Sequence, residues 1–202
     1  MLLFFITPQP SINPLINTMQ REEALQFLKE NLDNQNLVKH SLAVEASMAA
    51  LAVHFAGDRE KWALCGLLHD IDYQKSQGDP QVHSKEGSRM LREAGLDQEI
   101  CQAVLTHNEA HGIEPEGLMA KALFCVDPLT GLIVASTLVL PSKKLADLTP
   151  ENVLNRFKEK AFARGANREI IAMCQELLNL SLEKFVELVL KAMQGIAPDL
   201  GL

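Results

Sequence analysis

The chain reads as an all-α protein. Ala and Leu are plentiful while aromatic residues make up only 5% of the sequence. Apolar residues recur at helical spacing between capping residues on one side and Gly or Pro stops on the other. No convincing alternating strand interrupts that pattern, although Val134–Leu140 is rich in β-branched residues over a short stretch. A length of 202 residues, 47% of them hydrophobic, is enough for one domain with a substantial core.

Residues 1–18 differ from the rest. They carry no charge and contain Pro8, Pro10 and Pro14. The apolar start, Met1 to Ile6, lacks a basic leader and is too short for a signal peptide or membrane span. We expect a weakly ordered arm there, or a mis-assigned start. The domain proper then runs over 19–202, with a helical C-terminal extension. Thr18 is the expected cap of the first helix, followed by the acidic turn Glu22-Glu23 and an apolar face of Ala24, Leu25, Phe27 and Leu28.

Leu37 to Phe55 forms a long Ala/Leu/Val/Met-rich helix ended by Gly57. Asp58 caps a helix from Arg59 to about His69, and Gly78-Asp79-Pro80 marks a loop. Helix signals resume over His83–Ala94 and stop at Gly95. Asp97 caps the next segment, which reaches His107 before Gly112 and Pro115 break the chain. Glu116–Leu140 is strongly apolar with Pro128 near its middle, so it is either one bent helix or two helices meeting at Asp127-Pro128. Thr149-Pro150-Glu151 starts another helix. Two more are expected near Asn167–Leu180 and Ser181–Gln194.

A net charge of -7 argues against general nucleic-acid binding through a basic surface. Cys65, Cys101, Cys125 and Cys174 are far apart in apolar stretches, which predicts buried thiols and a reducing, cytoplasmic setting. Chemistry concentrates elsewhere. All six histidines fall between residues 40 and 111. The order is His40, then the doublet His69-Asp70, with Asp127 downstream. Two imidazoles and two carboxylates suit a divalent transition metal (Mn, Fe, Co, Ni or Zn) better than Mg or Ca. On a regular helix His69 and Asp70 diverge by about 100°. They can share an ion only at a helix end or between crossing helices. His54 reads as a structural or surface residue.

That ordered set resembles the HD superfamily of metal-dependent phosphohydrolases. The surrounding segments are similar too: KHSLAVEASMAALA at His40, ALCGLLHDID into the doublet, VHSKEGSRML at His83 and AVLTHNEAHG at His107. The C-terminal segment VDPLTGLIVAS…RFKEKAFARGANRE is similar to an uncharacterised HD hydrolase branch. The resemblance implies an all-α bundle, and His40, His69, Asp70 and Asp127 as ligands of a first ion. Asp70 would also position the nucleophilic water. His83 and His107 would either hold a second ion, bridged by Asp70, or contact substrate phosphate. Asn108 departs from the pattern of some two-metal branches, where another histidine stands; His111 or Glu109 could substitute. Several relatives have a water-orienting glutamate shortly after the doublet; here Asp72 either serves as that carboxylate or is a helix C-terminal or turn aspartate.

A substrate phosphate also calls for cationic donors. Seven of the 19 basic residues lie within 143–168, and Lys143, Lys144, Arg156 and Lys160 are the best candidates among them. The expected activity is metal-dependent hydrolysis of a phosphate ester or anhydride on a small phosphorylated molecule, a nucleotide or dinucleoside polyphosphate, with no nucleic-acid or membrane partner. The alternatives are a nucleotide- or metal-sensing module with little turnover, and a di-iron oxygenase.

Overall fold

The computed structural model describes residues 19–202. Among them every regular element is helical. The first helix, α1 (Arg21–Asn31), opens at Gln20, whose backbone N–H donates to the Glu23 carboxylate. The expected cap, Thr18, and the proposed arm lie outside the described residues. Next come α2 (Gln35–His54), α3 (Arg59–Leu68), the single turn α4 (Tyr73–Ser76), α5 (Lys85–Glu93) and α6 (Gln98–Thr106). The second half contains α7 (Gly117–Leu138), α8 (Pro150–Lys158), α9 (Arg168–Ala172), α10 (Cys174–Leu177), α11 (Leu182–Gln194) and α12 (Ala197–Leu200).

The capping logic accounts for most boundaries. Asn34, Asp58, Asp97, Thr149, Asn167 and Ser181 each accept a backbone N–H from the first turn they precede. Three expectations are decided by the structure. First, of the two readings of Glu116–Leu140 the single helix holds and runs unbroken over Gly117–Leu138, so Asp127 is helical and not at a break. Pro128 removes only the N–H that would bond the Phe124 carbonyl, and the surrounding core holds the helix through that gap. Second, the helix expected from His83 starts at Lys85. Ser84 takes a positive φ of 68° and gives its N–H to Asp72, which leaves His83 in the preceding turn. Third, the segment expected over Asn167–Leu180 splits at Met173, whose N–H is shared between the Glu169 and Ile170 carbonyls in a tightened turn. Asn179, at φ 54°, ends it.

The core gathers on α2 and α7. Helix α2 packs on α3, α7 and α11, while α7 also meets α6, α8 and α9. Helix α7 is long and apolar enough to cross a membrane by length and composition alone. Here most of it is core: Leu123, Cys125, Val126, Leu129, Leu132 and Ile133 are all fully buried. The four thiols are buried and free, as expected. His54 is exposed and lies edge-on to Phe55. Arg21 of α1 forms a bidentate pair with the buried Glu45 of α2, at 2.5 and 2.9 Å.

The α2–α3 contact is tight because Gly66 faces the α2 backbone. A Cβ there would lie 2.8 Å from the Val44 carbonyl oxygen and 3.0 Å from Glu45 Cα. Gly131 of α7, by contrast, faces open space. Gly66→Ala should therefore cost about 1–3 kcal/mol as an overpacked core substitution. Gly131→Ala should hold or raise stability by up to about 1 kcal/mol, since Ala is the better helix former. Chemical denaturation of both variants tests this; equal effects would refute the close approach at Gly66.

Candidate metal centre

His69 is the residue at which α3 ends, and His107 occupies the same place on α6. The last carbonyls of a helix have no intrahelical partner. Both imidazoles use one. His69 Nδ1–H donates to the Gly66 carbonyl three residues back (2.8 Å), and His107 Nδ1–H donates to the Val104 carbonyl (2.6 Å). His40, within α2, places Nδ1 3.3 Å from the Thr130 hydroxyl, which itself donates to the Asp127 carbonyl (2.9 Å). His83 donates from Nδ1 to Asp72 (2.9 Å). Each ring therefore has an acceptor for its Nδ1–H, which leaves each neutral Nε2 with a bare lone pair.

The four Nε2 atoms converge on carboxylates. His40 Nε2 lies 2.9 Å from Asp127 Oδ1 and 3.6 Å from Asp70 Oδ2. His69 Nε2 is 3.3 Å from Asp70 Oδ1, 3.5 Å from Asp127 Oδ1 and 3.2 Å from His40 Nε2. His83 and His107 bring Nε2 to 3.3 and 3.4 Å from Asp70 Oδ1 and stand 3.2 Å apart. Lone pairs facing lone pairs at this range require a cation between them, either protons or a metal. Donors bound at roughly 2.0–2.2 Å to one ion stand about 3.0–3.6 Å from each other, and these spacings match. Two groups could hold an ion: His40, His69 and Asp127 on one side, and His69, Asp70 and His107 on the other. His69 is common to both, and Asp70 reaches each, with Oδ2 3.6 Å from His40 Nε2 and Oδ1 3.3–3.4 Å from the Nε2 atoms of His69, His83 and His107.

Without a metal, protons must serve. Burial would lower the His69 pKa, but Asp70 and Asp127 raise it to about 9. His83 is likewise raised to about 10 by Asp70 and Asp72 against its burial. Burial pushes the Asp70 and Asp127 carboxyls up, yet the facing imidazoles hold both well below the usual carboxylate range.

Asp72 has a different place from the one expected. It is fully buried. One oxygen takes His83 Nδ1–H, and the other accepts the N–H groups of Ser84 and Gly87, each at 2.8 Å. With these donors filling it, Asp72 orients His83 instead of activating water. Gly87 is small for the same reason, since a Cβ would meet Asp72 Oδ1 at 3.1 Å. Nor does His111 or Glu109 replace the histidine absent at Asn108. Asn108 donates to the Pro80 and His83 carbonyls, and His111 Nε2 lies 2.8 Å from the same His83 carbonyl. Both brace the turn that carries His83.

A cleft of about 430 Å³ opens over the centre, lined by His40, Asp70, His83, His107 and Asp127 with Glu109, Asn167 and an apolar wall. Lys143, Lys144, Arg156 and Lys160 are not among its lining residues. Arg156 is engaged by Glu159 (2.9 Å) and lies over the Phe162 ring, while Lys143, Lys144 and Lys160 are exposed.

Thr130 and the Gly66 and Val104 carbonyls are the contributors that sequence reasoning missed. A signal existed for each. Thr130 follows Asp127 by three residues on one helix face, and both carbonyls precede their histidine by three.

The HD-domain family model matches residues 37–152, which span all six of these ligand candidates. The chain belongs to the HD-domain family. It is 39% identical over 174 residues to an uncharacterised protein of Methanocaldococcus jannaschii, covering 80% of this chain and 99% of that protein. It is 30% identical over 144 residues to ribonuclease Y of Lawsonia intracellularis, covering 69% of this chain and 27% of the relative. Ribonuclease Y of Thermotoga maritima is 29% identical over 139 residues, covering 67% and 27%. The chain thus spans about a quarter of the ribonuclease Y proteins it matches. No solved structure matches.

Two outcomes follow for the centre. Asp72→Asn should weaken metal binding at the His83 side by about 10–100-fold, as loss of an outer partner does, and leave the His40 side loaded. Metal titration with elemental analysis distinguishes that from uniform loss, which would refute the assignment. The metal-free protein should also lose stability as the pH rises from about 6.5 towards 9–10. His69 and His83 have folded pKa values above their unfolded ones, so their contribution is complete below the unfolded value and disappears through the folded one. Melting temperatures across that window, after chelation, read this directly; a flat or rising profile would contradict it.

Proposed function

We propose that this chain is a metal-dependent phosphohydrolase that cleaves a phosphate ester or anhydride of a nucleotide. The observation that carries the reading is the carboxylate of Asp70, whose Oδ2 faces His40 and whose Oδ1 faces His69, His83 and His107 at the floor of an open cleft. His40, His69, Asp70 and Asp127 would hold one divalent transition-metal ion, and Asp70, His83 and His107 a second. Such a mixed N/O donor set fits Mn, Fe, Co, Ni or Zn. A bound ion there supplies Lewis acidity towards a phosphoryl oxygen and lowers the pKa of coordinated water.

The residues of the chain supply the rest. Asp70 faces the cleft and can accept a hydrogen bond from an incoming water, which fixes the direction of its attack on phosphorus. Thr130, Gly66, Val104 and Asp72 keep the four imidazoles in one tautomer, so the centre does not reorganise as substrate enters. Relatives named ribonuclease Y act, by that name, on RNA, whose linkage is a phosphodiester and so of the same bond class. Family membership supports the same reading.

Mn- or Fe-loaded protein should release phosphate or a mononucleotide from at least one member of a nucleotide panel. Asp70→Asn should lower that rate by about a hundredfold or more, because the neutral amide is a poor anionic ligand and a poor partner for the water proton. A fully metallated wild type that binds nucleotides and turns none over would replace this reading with a sensor.

A further inference from the structure

The cleft carries an unusual charge balance for a phosphate site. Three carboxylates line it: Asp70, Asp127 and Glu109. Among the described residues no lysine or arginine does. Two of the nearby arginines have other uses. Arg168 donates to the Phe162, Ala163 and Ala166 carbonyls at 2.5–2.6 Å, behind the loop that forms one wall. Arg156 is paired with Glu159. Arg164 stands between two lining residues, is exposed, and is not part of the lining.

With the imidazoles neutral as metal ligands, the lining itself brings no positive charge, so in the loaded cleft that charge comes from metal. Two dications against three carboxylates leave a single net positive charge, and one dication leaves the cleft negative. Glu109 cannot turn away without cost, since its Oε1 accepts from Asn167 Nδ2 (3.3 Å), which ties the entrance of the cleft to α9. The opposite wall is apolar, built from Leu37, Phe124, Pro128, Ala163, Ala166 and Ile170. At about 430 Å³ the cleft is at the small end of ligand sites.

Resting on the phosphohydrolase reading, we propose that this cleft takes a substrate with a single phosphate group and an apolar or planar remainder, and that it discriminates against polyphosphates, dinucleoside polyphosphates included. A single phosphate group, with at most about two negative charges, already meets or exceeds the one net positive charge, and the remainder lies on the apolar wall. Each further phosphate would add negative charge beside Glu109, and no lysine or arginine of the lining is there to receive it. Glu109 is then a specificity-determining residue that acts by repulsion.

The test is calorimetric binding of AMP, ADP, ATP and diadenosine tetraphosphate to Mn-loaded protein at fixed free Mn, with initial rates measured in parallel. Rates on a phosphomonoester and on a dinucleotide phosphodiester tell the two single-phosphate sources apart. We expect AMP to bind at least about tenfold more tightly than ATP, a modest share of what like charges cost at close range. Glu109→Lys should narrow or reverse that ratio while metal content stays unchanged, and Glu109→Gln should move it part of the way. Tighter binding of ATP or of the tetraphosphate in wild type overturns the inference, as does a ratio that neither Glu109 variant moves. Binding in the expected order without turnover would defeat the hydrolase reading alone.

Discussion

The hydrogen bond that leaves each imidazole at Nδ1 is the constraint on which the centre depends. A neutral imidazole has one donor and one acceptor, so fixing the donor fixes the direction of the lone pair. Helix ends supply the acceptor twice, at Gly66 and Val104, where an orphan carbonyl would otherwise need water. A hydroxyl and a buried carboxylate do the same for His40 and His83. The result is four lone pairs and two carboxylates gathered without a donor among them. The same backbone groups that end α3 and α6 thus set the chemistry of the site.

The helical order, most caps and the residues that converge on the centre were legible because each has a local signature. Asp58 and Asp97 announce helix starts, and His40, His69, Asp70 and Asp127 stand in an ordered frame. What was not legible depended on through-space partners. Asp72 reads as a candidate for water activation until Ser84, Gly87 and His83 are seen to occupy it. The start of α5 was misplaced for the same reason, because Ser84 yields its N–H to a residue twelve positions away. Asp127-Pro128 left one bent helix and two helices both open, since proline disfavours helix at the preceding residue, a local rule that burial along α7 outweighs.

The basic cluster shows a further limit of composition. Positive residues crowd 143–168, yet Arg156 and Arg168 serve the loop from Glu159 to Asn167, and Lys143, Lys144 and Lys160 are exposed away from the cleft lining. The Arg168 guanidinium gathers three carbonyls from a segment with no regular structure, performing the work that helix hydrogen bonds perform elsewhere. Counting charges could not distinguish a cation that holds up a wall from one that reaches into the cleft.

The six candidate ligands come from α2, the end of α3, the turn before α5, the end of α6 and the middle of α7, and His40 is 87 positions from Asp127. In the unfolded chain they are strung along nearly half its length, and bringing such distant groups together is costly until the helices have packed. The pocket for an ion therefore does not precede the bundle. It exists only where those long-range contacts are made, so an ion would find its ligands assembled only in the packed chain. Once acquired, the ion would join five separate helical segments at one point, and escape from the folded state would require all of them to let go.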